Sequence, residues 1–135
     1  MTGVQTCALP ICFYHSRVKA LPGPDNRLDG QQPWSGNLGF DYRFSGLPLT
    51  TGGNLSFTPG YATRQTQTQT LDQSRNRSLD LFAQWMFSPK TSLRVSANNL
   101  APLKNQSLTT LADGSTSFTN RDGRTWWGLN LEMKL

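Results

Sequence analysis

The sequence predicts an all-β fold of antiparallel, up-and-down strands forming part of a transmembrane β-barrel, about five to six strands of a larger one. Three observations predict it. Apolar and polar residues alternate at period two over several runs, and no helical periodicity of useful length occurs. The connections between those runs alternate between long and short. The last run, TWWGLNLEMKL over residues 125–135, ends on an apolar residue. An apolar strand face with nothing to cover it suits lipid, which solvates it.

Residues 1–11, MTGVQTCALPI, resemble the translation of a short-read sequencing adapter, with Cys12 at the junction. Such a scar is set aside in fold reasoning. Met1 is then not a natural start, residues 1–12 are adapter-derived, and residues 13–135 are expected to be a fragment of a longer barrel domain. Cys7 and Cys12 are the only cysteines, so no disulfide, CxxC metal site or nucleophilic thiol remains.

A sixth, weaker strand signal runs through residues 13–20, ahead of the turn formers PGPDN and LDG. The clearest strand covers residues 34–45. Trp34, Leu38, Phe40, Tyr42 and Phe44 share one face, with Gly36 as a gap, and Asp41 and Arg43 share the other. A one-residue slip would turn both charges outward. For an Arg at the bilayer midplane that costs about 2–4 kcal/mol, so the alternation fixes the face.

The next strand spans residues 54–64, with Leu55, Phe57 and Tyr61 outward and a break expected at Pro59, which has no N–H to donate. Over residues 77–87, Leu79, Leu81, Trp85 and Phe87 face one way and Asp80 the other, while Phe82 is a misfit on the polar side. Residues 92–100 are weaker, with Leu93 and Val95 opposed by Arg94. In the final strand Trp127, Leu129, Leu131, Met133 and Leu135 share a face. The apolar set is predicted to face lipid. Asp41, Arg43, Asp80 and Arg94 are predicted to face the lumen.

Long connections are expected at residues 20–33, 65–76 and 100–123, and short ones at 45–53 and 88–91. An outer-membrane barrel has long external loops and short periplasmic turns. Counting back from a periplasmic C-terminus puts every long connection outside. Trp34, Tyr61 and Trp127 then lie near the external ends of their strands. Phe44, Phe57, Trp85 and Phe87 lie near the periplasmic ends, as expected of interfacial rings.

Composition agrees. The 135 residues are 36% hydrophobic and 16% charged, and mean hydropathy is −0.50. No run approaches the roughly eighteen apolar residues of a transmembrane helix. Barrels escape that test because their lumen and loops are polar. The net charge of +5 comes from scattered Lys and Arg with no cluster or basic helix, so no nucleic-acid partner is expected.

Three segments resemble the C-terminal barrel portion of TonB-dependent outer-membrane receptors: SLRVSANNLAP (92–102), LPGPDNRLDGQQPWSGNLGFDYRF (21–44) and RTWWGLNLEMKL (124–135). The last also resembles the signal read by the barrel-assembly machinery. It departs from the usual aromatic terminal residue by ending in Leu135. The resemblance implies a large barrel around a plug, in the outer membrane of a Gram-negative bacterium. Such a barrel imports scarce ligands of the siderophore, cobalamin or sugar class. Its implied partners are the bilayer, the upstream plug and remaining strands, TonB acting through a part outside this sequence, and the assembly machinery. The alternatives are a plug-less porin-like barrel and a soluble β-sandwich binding module.

No enzyme is expected, and no cofactor or metal. His15 is the only histidine and has no partner for catalysis or metal binding in the sequence. Asp41, Arg43, Asp80 and Arg94 are read as a lumenal charge network anchoring plug and register. Asp25, Asn26, Arg27, Asp72, Arg75, Asn76, Lys104, Asp113 and Arg121 are read as solvated loop residues. The TQTQT run (66–70) is read as a polar strand extension above the membrane.

Overall fold

In a computed structural model, which describes residues 4–134, every regular element is a strand. In chain order these are β1 (Val4–Ala8), β2 (Ile11–Phe13), β3 (Trp34–Arg43), β4 (Leu49–Thr58), β5 (Tyr61–Arg64), β6 (Gln69–Gln73), β7 (Asn76–Ser88), β8 (Thr91–Asn98), β9 (Asn105–Leu111), β10 (Thr116–Arg121) and β11 (Trp126–Met133). They form two antiparallel sheets. The first runs β1-β3-β4-β7-β8-β11, with β2 also on β3, and the second runs β10-β9-β6-β5. The described residues form no closed barrel.

Register sorts the first sheet by polarity. One row across it reads Phe40, Gly53, Leu81, Ala97, Trp127. The next reads Tyr42, Thr51, Ala83, Val95, Leu129, and a third reads Leu49, Trp85, Leu93, Leu131. Leu38, Leu55 and Leu79 make a fourth. Side chains in register share a face, so these apolar residues cover one side of the sheet. The opposite side carries Asp41, Gly52, Phe82 and Ser96 in one row, and Gln84, Arg94 and Asn130 in another.

No described residue forms a second layer on the apolar side. Ala97 is the one buried apolar residue among those described. Leu129 is 74% exposed and Trp127 73%. Total accessible surface is 9522 Å², about a third above the roughly 7,000 Å² of a compact globular protein of this mass. The architecture is single-layered, whereas ordinary soluble domains bury a sheet face against a second layer.

The second sheet repeats the order of the first. Its strands β5, β6, β9 and β10 are the chain prolongations of β4, β7, β8 and β11, in the same sequence across the sheet. Breaks at residues 59–60, 74–75, 99–104 and 122–125 separate the two. Short turns at 44–48 and 89–90 lie at the opposite end of the first sheet, which is braced by bonds from Met86 N–H to Pro48 O and from Lys134 N–H to Lys90 O, both 2.8 Å.

Several expectations are corrected. Residues 65–76 and 100–123 are not plain loops, because β6, β9 and β10 lie within them. Their Thr, Gln, Ser and Asn alternation lacks an apolar face but pairs strand to strand. The TQTQT run holds the hairpin tip rather than one strand, and Gln65 N–H and Thr66 N–H both donate to Gln69 O there. β4 begins at Leu49, five residues before the expected start at Asn54.

Gly52 and Gly53 look like turn residues but lie mid-strand. A Cβ at Gly52 would stand 2.6 Å from Phe82 Cε1, and one at Gly53 would stand 2.9 Å from Asp80 O. Close approach, not a turn, demands glycine there. The strand signal at 13–20 reaches only Phe13. Beyond it Asn26, buried, donates its amide to Val18 O and Leu21 O and ties residues 14–33 into a compact loop. Residues 4–12, set aside as adapter-derived, lie together with Phe13 along the outer edge of β3, whose unpaired N–H and C=O groups accept an extended segment.

Candidate functional site: the two faces of the first sheet

The apolar face assembles most of the residues expected to meet lipid. Leu38, Phe40, Tyr42, Leu55, Leu79, Leu81, Trp85, Leu93, Val95, Trp127, Leu129, Leu131 and Met133 share it by register. Trp34 leans over the gap at Gly36, its ring 5.4 Å from Phe57. Phe44 lies just past β3 and meets Tyr42 edge-on at 4.7 Å. Phe87 occupies the register shift between Met86 and Ser88 and is exposed. Tyr61 departs from this face. The break at Pro59 carries it into β5 and the second sheet, where its hydroxyl donates to Gly30 O at 3.2 Å. Burial, with Asp29 nearby, raises its pKa. Leu135 lies outside the described residues.

The polar face holds Asp41, Arg43, Asp80 and Arg94, but not as a network of ion pairs. The one salt bridge among the described residues is Lys104 to Asp122 at 3.8 Å, both exposed. The anchors are different. Arg94 stacks its guanidinium 3.9 Å from the centroid of Phe82, a cation–π contact. Asp80 accepts from the backbone N–H of Asn99 at 2.7 Å and from Ser78 Oγ at 3.1 Å. Gly52 makes room for both Asp41 and Phe82. A cleft of about 350 Å³ results, lined by Asp41, Asn54, Asp80, Phe82, Arg94 and Asn98, with Thr6 and Ala8 of β1 on its rim. Its donors and acceptors can bind a neutral polar guest, with two carboxylates and one guanidinium in the lining.

Two residues in this arrangement are only partly read, or not read, by pattern. Phe82 is visible as a break in the alternation, though its partner Arg94 is not. Asn99 carries no pattern signal, yet among the described residues it is the non-glycine residue with positive φ, 55°. Its amide donates to Arg124 O at 3.0 Å, and its carbonyl accepts from Thr125 Oγ1 at 2.9 Å. It joins β7, β8 and the approach to β11 where the first sheet ends.

The other candidates stay apart. His15 is exposed, and no group of three or more metal-ligating side chains occurs among the described residues. Asp113 caps the β9–β10 turn, accepting from Ser115 N at 2.8 Å and Ser115 Oγ at 2.6 Å, and these bonds lower its pKa. Asp25 contributes its carbonyl to Arg64 N–H at 2.7 Å. Asn76 opens β7. Among the described residues no helix is long and apolar enough to cross a membrane, which leaves crossing by strands untouched. Comparison with protein-family models, curated proteins and solved structures gives no match.

Proposed function

We propose that this chain is the C-terminal barrel portion of a TonB-dependent receptor-like transporter of the outer membrane. The observation that carries the reading is the single-layered sheet with no second layer of described residues on its apolar face, where Leu129 and Trp127 are each nearly three-quarters exposed. An aqueous protein rarely leaves a patch of that size bare. A bilayer covers it at no desolvation penalty, since the backbone of each inner strand is already paired on both sides.

Three further points support the reading. The polar face is rich in Ser, Asn, Gly and charged groups, as a lumen requires. Short turns lie at one end and long hairpins at the other. The segments at 21–44, 92–102 and 124–135 resemble the receptor family. Five membrane strands (β3, β4, β7, β8 and β11) fall short of the eight of the smallest barrels, so the parent supplies the rest. In this role the chain does no chemistry. It forms part of the wall, and the cleft at Arg94 meets plug or passing ligand. Import is energised through a part of the parent outside this sequence.

Tryptophan quenching by brominated phospholipid tests the proposal. With the chain folded into vesicles, Trp85 and Trp127 fluorescence should fall strongly with bromine in the acyl chains. A monodisperse, cooperatively melting chain in detergent-free buffer, left unquenched by the vesicles, would overturn it.

A further inference from the structure

The second sheet has one covered face and one open face. Tyr61 and Thr63 lie on the covered side. Thr63 is fully buried, Tyr61 reaches Gly30 of the 14–33 loop, and Gln65 Nε2 donates to Asp29 Oδ1 at 2.9 Å. The open side carries the row Ala62, Asp72, Leu108, Phe118, followed by Gln106 and Asn120. Phe118 is 60% exposed. On the proposed reading this sheet stands outside the bilayer, so lipid does not account for an exposed ring here. Its neighbours are not apolar either, apart from Leu108. The Asp72 carboxylate and Gln106 side-chain amide carry no hydrogen bond from another described residue.

We infer that this open face is a saccharide-binding site, with Phe118 as the platform for one pyranose ring. A pyranose has an apolar C–H face and a rim of hydroxyls. An aromatic ring flanked by a carboxylate and an amide answers both, because the ring takes the C–H face and Asp72 and Gln106 take hydroxyl protons and lone pairs. The recess between Asp72, Ser74, Gln106, Leu108 and Phe118 holds about 240 Å³. That is below the roughly 300–1,000 Å³ of an enclosed small-molecule site. It matches one ring of a longer glycan lying across the strands. Net-neutral sugars suit it better than anions, since Asp72 is the one charge lining it. The inference takes the external position of the sheet from the proposed function; the recess itself does not depend on it.

The ring can belong to a free oligosaccharide or to the glycan of lipopolysaccharide, and the test separates them. The full chain, folded in a zwitterionic detergent without a sugar headgroup, is titrated with maltohexaose, cellohexaose and a neutral O-antigen oligosaccharide of lipopolysaccharide. Ligand-observed saturation-transfer NMR and calorimetry are the readouts. At least one probe should bind, with saturation concentrated on the C–H face of one ring. Phe118→Leu keeps the strand and the contact with Leu108 and should weaken binding about five- to tenfold, while Phe118→Tyr should restore it. The probe that binds names the source. Absence of binding by all three, or unchanged affinity in Phe118→Leu, overturns the site. Lipid quenching of Trp85 and Trp127 is read separately, so failure of the membrane assignment is distinguishable from failure here.

Discussion

Leu129→Arg separates lipid from water at the apolar face more sharply than any other single change. Leu129 lies mid-strand in β11, in register with Val95, and is 74% exposed. If water covers it, Arg keeps its hydration and the substitution falls within the ±0.5 kcal/mol typical of surface sites. If hydrocarbon covers it, a cation near the midplane costs about 2–4 kcal/mol. Leu129→Ala gives a milder version. Full transfer of a Leu side chain is worth about 1.5–3 kcal/mol, and three-quarters of that is about 1–2 kcal/mol. Asn130→Arg, one residue along on the polar face, is the control and should stay within about 1 kcal/mol. The assay is guanidinium unfolding of the chain in phospholipid vesicles, followed by tryptophan emission. Loss of 2 kcal/mol or more in Leu129→Arg, with Asn130→Arg near wild type, is the expected result. Equal effects of the two Arg variants would refute the two-faced assignment.

Gly52→Leu should lower stability by about 1–3 kcal/mol through overpacking against Phe82, read as a shift in denaturant midpoint, because even its Cβ would stand 2.6 Å from Phe82 Cε1. Asn99→Ala loses the bond to Arg124 O and adds the strain of a left-handed Ala, about 1.5–3.5 kcal/mol together. Asn99→Gly loses the bond alone, about 0.5–1.5 kcal/mol, so the Ala variant should unfold at lower denaturant. Asp113 has a lowered folded-state pKa, so its turn contact is present above the ordinary carboxylate pKa and is lost as pH falls through the lower folded value. Amide exchange at Ser115 should therefore gain a low-pH acceleration beyond the intrinsic rate, and Asp113→Asn should lack that step.

Most strands of the first sheet were legible because their polarity alternates. Trp34 to Arg43 and Trp126 to Met133 have one apolar and one polar side, and the face of each side chain followed from that alone. The second sheet was less legible for a physical reason. Strands such as Asn105–Leu111 and Thr116–Arg121 are polar on both sides and carry no period-two contrast. Gly52 and Gly53 misled because glycine marks both turns and close strand contacts. In the polar face, charges suggested ion pairs, whereas Arg94 found an aromatic ring and Asp80 a backbone N–H. Such partners depend on which strands become neighbours, and β4 pairs with β7 across an intervening hairpin.

The shared order of the two sheets has a mechanical consequence. Each distal strand is covalently continuous with its proximal counterpart, so a pull on the β5–β6 or β9–β10 tip travels down two backbones at once. It reaches the proximal ladders along their length and loads many interstrand bonds together, the geometry of shear rather than of unzipping. The breaks at 59–60, 74–75, 99–104 and 122–125 mark where the distal ladder ends and the proximal one begins.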